Sequence, residues 1–175
     1  MLNGKKIILA VSGSIAAYKS ALIIRLLIKA GASVKVIMTE ASEDFITPLT
    51  LSTLSKNPVF KDFTKDDDSG EWNNHVELGL WADAIIVAPA TANTMAKMVS
   101  GHADSLLLAV YLSARCSVFV APAMDLDMYQ HESTQENLKT LIERGNLIIQ
   151  PESGELASGL IGEGRLTEPD HILEF

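Results

Sequence analysis

Residues 6–19 read KIILAVSGSIAAYK, and this stretch decides the fold. Lys6–Ser12 is a continuous apolar run rich in β-branched residues, as expected of a strand buried on both faces of a parallel sheet. Ser12-Gly13-Ser14-Ile15 then turns the chain into a helical pattern, Ile15–Ala30, which Gly31 closes. The same couplet recurs outward along the chain. Strand-length runs stand at Ser33–Met38, Ala84–Ala88, Ser117–Ala121 and Leu147–Ile149. Helical patterns fall between them at Pro48–Leu54, Ala92–Val99, Ala103–Ala114 and Ser133–Arg144. Ser133-x-x-Glu136 reads as a capping box opening the last helix, with Gly145 as its stop. Strand–helix repetition of this kind predicts an α/β fold, a doubly wound parallel sheet in three layers.

Two stretches break the rhythm. Lys56–Asn74 reads as a solvated loop, and Pro151–Gly164 reads as a mobile, glycine-spaced segment. A segment of that length inside a compact domain is usually functional or disordered. The last residues, Glu168–Phe175, look like the start of a helix. A length of 175 residues suits one domain, against a prior of roughly 150 residues each.

Composition removes several function classes. With 47% apolar and 21% charged residues, the chain is too apolar for disorder. No apolar run approaches the ~18 residues of a spanning helix, so no membrane partner is expected. The N-terminus lacks a signal-peptide pattern, and the single Cys116 rules out an internal disulfide or a multi-thiolate metal site. Both observations point to a cytoplasmic protein. The four histidines show no helical metal spacing, so no metal is expected. A net charge of −8 and 6% aromatic residues argue against nucleic acid. A small anion can still bind locally at a helix N-terminus.

In an open parallel sheet, ligands bind beyond the carboxyl ends of the strands. That rule selects Ser12–Ser14, Thr39–Phe45, Pro89–Thr94 and Pro122–Met128. In the first of these, Gly13 permits a tight turn while hydroxyls and helix-start amides suit a phosphate. It is neither G-x-G-x-x-G nor a Walker loop. Read alone, it is equally well an ordinary βα turn.

Five motifs taken together carry a resemblance. Gly13-Ser14-Ile15-Ala16-Ala17-Tyr18-Lys19, Asn74-His75-Val76-Glu77-Leu78, Pro89-Ala90-Thr91-Ala92-Asn93-Thr94, Ala103-Asp104-Ser105-Leu106-Leu107 and the Ala121–Tyr129 segment (APAMDLDMY) follow in order. They resemble the flavin-dependent cysteine decarboxylases, and within these the phosphopantothenoylcysteine decarboxylase branch of coenzyme A biosynthesis. The resemblance runs from about Lys5 to Pro169. It implies a flavodoxin-like, Rossmann-like domain over residues 1–175, with a substrate flap at about 151–165. It also implies FMN, homotrimers or dodecamers, a small-molecule substrate, and in many relatives a fused ligase half, here beyond Phe175.

By the same resemblance, Gly13, Ser14, Ile15, Thr39, Phe45, Pro89, Ala90, Thr91, Asn93, Ser105 and Ala123 would contact FMN. Asn93, Met124, Asp125, Met128, Ala157 and Ser158 would contact substrate. His75 and Ser158 would be catalytic. Imidazole is well suited to proton transfer near neutral pH. The implied reaction oxidises the cysteinyl thiol carbon transiently, loses CO2 into the resulting C=S sink, and returns the electrons to give 4′-phosphopantetheine.

Two positions depart from the family pattern. Asp125 stands where the family carries asparagine after Pro-x-Met, and Ser158 stands in Leu156-Ala157-Ser158-Gly159 where the family carries cysteine. Serine is a much weaker acid than a thiol. The flap glycines are otherwise intact. The alternatives are a peptidyl-cysteine decarboxylase stopping at an enethiol, a flavin prenyltransferase, and a non-catalytic FMN-binding regulator.

Overall fold

The computed structural model describes residues 2–66 and 68–175, so Met1 and Asp67, the latter inside the predicted 56–74 loop, lie outside the described residues. In chain order the elements begin with β1 (Lys6–Val11), a 3-10 turn (Ile15–Lys19), α1 (Ser20–Lys29) and β2 (Ser33–Met38). A second 3-10 turn (Glu40–Ser42) precedes α2 (Pro48–Ser55), β3 (Val59–Phe60), β4 (Thr64–Asp66), β5 (Glu71–Trp72) and α3 (His75–Trp81). Then come β6 (Ala84–Ala90), α4 (Ala92–Ser100), α5 (Leu106–Ser113), β7 (Ser117–Pro122), α6 (Leu126–Gln130) and α7 (Glu132–Glu143). The chain ends with β8 (Leu147–Ile148), β9 (Glu152–Glu155), β10 (Ile161–Arg165) and α8 (Pro169–Glu174).

The central sheet is parallel throughout, in the order β3-β2-β1-β6-β7-β8. Counted along the chain this is the Rossmann variant of the doubly wound sheet. Its strands are apolar on both faces because both faces are covered. Ile8 and Ala10 pack with Met95, Leu107 and Leu141 on one side. Ile7, Leu9 and Val11 pack with Ile24, Leu27 and Ile172 on the other. From β1 the chain winds outward to β2 and β3, then returns to β6 on the opposite flank. The connections leaving β1 and β6 therefore diverge, opening a crevice at their carboxyl ends.

The structure differs from the sequence reading at several joints. The predicted helix 15–30 starts as a 3-10 turn, with the Ala17 amide donating to Ser14 O at 2.8 Å, and becomes α-helical only at Ser20. The tighter turn seats Ala17 against the sheet and turns Lys19 inward. The predicted capping box does not form. The chain already bends at His131, whose Nδ1 accepts from the Ser133 amide at 3.2 Å, so Ser133 falls inside α7. The helix expected from Ala103 starts at Leu106, because Ser105 is extended and caps it. The predicted loop 56–74 contains β3 and the β4–β5 hairpin, whose runs of two or three residues are too short to show a period. The segment read as mobile is an antiparallel β9–β10 hairpin. Among the described residues no helix is long and apolar enough to cross a membrane.

Candidate functional site

Ser12 fastens the crevice. Its buried Oγ donates to Pro89 O at 2.7 Å and accepts from the Thr91 amide at 3.0 Å, locking the end of β1 to the end of β6. The next residue has no room for a side chain. A Cβ on Gly13 would lie 2.7 Å from Ala41 Cβ and 2.8 Å from its carbonyl oxygen. The first turn is thereby pressed against the segment after β2. Ser14 caps the 3-10 turn, its Oγ accepting from the Ala16 amide at 3.2 Å. Thr91 caps α4 by accepting from the Thr94 amide at 3.2 Å.

These turns wall a cavity of about 580 Å³ lined by Gly13, Ser14, Thr39, Thr91, Asn93 and Ser105, with Ala123, Met124 and Met128 closing it. Thr39 Oγ1 is buried there with no hydrogen-bond partner among the described residues. A buried hydroxyl left unpaired is costly, and a bound polar ligand is one way to satisfy it. Ser105 Oγ is committed to the α5 cap, 3.4 Å from the Leu108 amide. At the rim Lys97 meets Asp104 at 2.5 Å, and this contact holds the Asp104 carboxyl below its ordinary range.

A second cavity, about 380 Å³, shares Ser14, Ala123 and Met124 with the first and continues to Ile15, Asp125, Ala157 and Ser158. Asp125 opens α6, Oδ1 accepting from the Leu126 amide at 2.6 Å. The far wall is the β9–β10 hairpin. Its root is held closely: the Met124 amide donates to Gly164 O at 3.0 Å, and a Cβ on Gly164 would sit 2.4 Å from Met124 O. Beneath the root lies Lys19, with only 5% of its side chain exposed. Its ammonium donates to Leu166 O at 2.8 Å and to Glu168 Oε1 at 3.0 Å, and Arg165 also contacts Glu168. The tip stands in solvent, closed by the Leu156 amide on Leu160 O at 2.8 Å, with Ser158 exposed.

The remaining expected residues fall elsewhere within the single chain. Pro89 and Ala90 are buried at the end of β6 behind the cavity, Pro89 through its carbonyl to Ser12. Phe45 is 43% exposed and lines neither cavity. His75 also lies apart, at the start of α3, where Asn74 Oδ1 accepts from the Val76 amide at 3.0 Å. Its ring stands edge-on to Phe63 and Trp72, and its Nδ1 is buried without a partner among the described residues. Sequence reasoning missed Lys19 and the Arg165–Glu168 pair as structural members of the site. Their only sequence signal was a lysine ending the first motif, in a stretch that otherwise reads as amphipathic helix.

A nucleotide-sized crevice at the switch point of a Rossmann-type sheet, flanked by a hairpin, defines a ligand-binding α/β protein of the cofactor-dependent class. The family model named Flavoprotein matches residues 1–175, and the chain belongs to that family. It is 43% identical to the coenzyme A biosynthesis bifunctional protein CoaBC of Bacillus subtilis (strain 168), over 100% of this chain and 43% of that protein. It is 62% identical over 128 residues to a cysteine/cysteine sulfinic acid decarboxylase from an unknown prokaryotic organism, covering 73% of this chain and 35% of that protein. The chain thus spans less than half the length of these curated relatives. A solved structure of a PPC decarboxylase cysteine-to-serine mutant, complexed with pantothenoylaminoethenethiol, superposes with a TM-score of 0.86 at 33% identity, over 98% of this chain and 96% of that one.

Proposed function

We propose that this chain is an FMN-dependent decarboxylase domain that converts 4′-phosphopantothenoylcysteine to 4′-phosphopantetheine in the cytoplasm. The observation that carries this reading is the pair of joined cavities. Gly13, Ser14, Thr39, Thr91, Asn93, Ser105 and Ala123 of the residues expected to hold the cofactor line one, and Met124, Asp125, Ala157 and Ser158 of those expected to hold the substrate line the other, in a chain 43% identical to a coenzyme A biosynthesis protein along its whole length.

The residues present fit FMN. The Ser14 turn offers a hydroxyl and helix-start amides to a phosphate, and the unpaired Thr39 Oγ1 offers a hydrogen bond inside a cavity of suitable size. Bound FMN supplies reversible two-electron oxidation of the substrate's thiol-bearing carbon. The protein's own part is to place the carboxylate near Met124 and Asp125, to cover it with the Ala157–Ser158 tip, and to move a proton through His75. Because His75 lines neither cavity, the complete site draws it from another copy of the chain. Exposed Trp72, Val76 and Leu80 around His75, with Leu112 on the packed neighbour α5, supply the apolar face such a trimer needs. A ligase domain fused to the same polypeptide accords with the greater length of the CoaBC relative.

One observation favours a second outcome, release of the enethiol. The solved neighbour that holds pantothenoylaminoethenethiol is a cysteine-to-serine mutant, and this chain carries serine at its own flap tip. The name of the 62% identical relative also brings small cysteine-type amino acids into the range to be tested. The deciding experiment incubates FMN-loaded protein with 4′-phosphopantothenoylcysteine and weighs the product. Phosphopantetheine supports the full cycle; a product lighter by two hydrogens supports the enethiol. His75→Asn should keep FMN and lose CO2 release by about 100-fold or more. Absence of CO2 from wild-type holoprotein would exclude the decarboxylase.

A further inference from the structure

Both cavities reach cations, and these are committed to different degrees. In the smaller one Lys19 and Arg165 both engage Glu168, and Lys19 spends a further donor on Leu166 O. Asp125 has no cationic partner there among the described residues. Among the described residues the larger cavity is lined by one cation, Lys97, and two acids, Glu40 and Asp104. Lys97 stands on α4 one turn after Asn93, so the two share the face turned to the cavity while Met95 and Met98 are buried behind them. An ammonium has three donors, and among the described residues Lys97 gives one, to Asp104 Oδ2 at 2.5 Å. Two remain, on a side chain 34% exposed.

The layers of the fold decide what those donors face. The Ser14 turn belongs to one covering layer, with Ala17 packed among Leu9 and Val11. Lys97 belongs to the other, where α4 and α5 pack Met95, Met98 and Leu107 against Ile8 and Ala10. The cavity bridges the two layers across the strand ends. In FMN the phosphate and the isoalloxazine ring terminate opposite ends of a ribityl chain, so a phosphate held at the Ser14 turn sends the ring toward Lys97. Two-electron reduction with uptake of one proton leaves that ring negatively charged, and a neighbouring ammonium stabilises the charge. We propose that Lys97 is the electrostatic partner of the flavin ring, binding reduced FMN more tightly than oxidised FMN and so making the cofactor a stronger oxidant of the substrate. Asp104 holds part of the same charge and attenuates the effect. The inference rests on the FMN reading above and adds the residue that tunes the cofactor's potential.

The test measures the midpoint potential of FMN-loaded protein, a readout independent of turnover, for wild type, Lys97→Gln, Lys97→Arg and Asp104→Asn. Lys97→Gln should weaken the binding of reduced FMN about tenfold relative to oxidised FMN, lowering the two-electron potential by about 30 mV. Lys97→Arg keeps the charge and should stay near the wild-type value. Asp104→Asn removes the competing carboxylate and should move the potential the opposite way, by about threefold or about 15 mV, since Asp104 is half exposed and screened. Added salt should shrink both shifts. Asp104→Asn leaves Lys97 in place, so it carries the sign of the test even if Lys97→Gln fails to retain flavin. Equal potentials in all four proteins, or shifts of the same sign in Lys97→Gln and Asp104→Asn, would overturn the proposal while leaving the decarboxylase intact. Opposite shifts without CO2 release from 4′-phosphopantothenoylcysteine would uphold it and overturn the decarboxylase instead. Failure of wild type to bind FMN would overturn both.

Discussion

The two walls of the site are built on different principles. On the crevice side, Ser12, Gly13, Thr39 and Thr91 sit at the ends of central strands, held by buried hydrogen bonds and by backbone packed so closely that no Cβ fits at Gly13. On the flap side, a two-stranded hairpin with an exposed tip is held at its root by Met124–Gly164 and by the Lys19–Glu168–Arg165 cluster. Pre-organisation is concentrated where a cofactor would stay bound through every cycle. Exposure is concentrated at the tip, where, on the proposed function, substrate would enter and product leave. The contrast predicts that damage to each wall should be read out by a different measurement.

The largest effect belongs to the crevice. Gly13→Val drives a branched side chain into the Ala41 backbone, so the turn must move. We expect FMN uptake to be abolished and stability to fall by about 1–3 kcal/mol, as for other overpacked sites. Flavin absorbance after gel filtration and denaturant unfolding check both. Full flavin occupancy in this variant would break the comparison.

A smaller and separable effect is expected at the flap root. Gly164 has φ +135° and its Cβ would fall against Met124 O, so Gly164→Ala must displace the hairpin. The strain is of order 1–3 kcal/mol. FMN should remain bound while KM for the substrate rises, because only the far wall has shifted. Loss of flavin from this variant would show that the two walls are one cooperative unit.

The smallest effect is pH dependence at the same root. Glu152, which begins β9, accepts from the Glu168 amide at 3.1 Å and contacts His171 Nδ1 at 2.7 Å. That contact raises the His171 pKa above its ordinary 6.5 and lowers that of Glu152 below its ordinary 4.5. The histidine contribution is complete below 6.5 and is lost as pH rises through the raised value. The carboxylate contribution is present above 4.5 and is lost as pH falls through the lowered value. Amide-exchange protection of the hairpin should therefore be greatest between these limits and decline modestly on both sides, since the pair is exposed. His171→Asn should flatten the alkaline limb; an unchanged profile would remove the pair from the flap anchor.

Much of this architecture was legible because continuous apolar runs have one efficient burial, the middle of a covered parallel sheet. The bounds of β2, the starts of β1 and β7, with their ends to within one residue, and the Ser-Gly-Ser turn followed from local pattern. The β9–β10 hairpin was not legible, because four glycines obscure the alternation that marks a strand. Lys19 was hidden for another reason: a lysine at a helical position reads as solvated until something buries it, and its partners Leu166 and Glu168 lie almost 150 residues away.

The amino-acid order by itself determined five strands of the central sheet, β1, β2, β6, β7 and β8, the turns that follow β1, β2, β6 and β7, and the positions of Asp125 and Ser158. Those depend on hydrophobic period and residue chemistry within a few neighbours. Only the tertiary structure decided that Ser14 belongs to two joined cavities, that Lys19 and Arg165 are spent on Glu168 while Asp125 remains open, and that His75 stands outside both cavities. These are facts of long-range packing: which charges are neutralised, and which atoms share a wall, is settled only when segments distant in sequence compete for the same buried space.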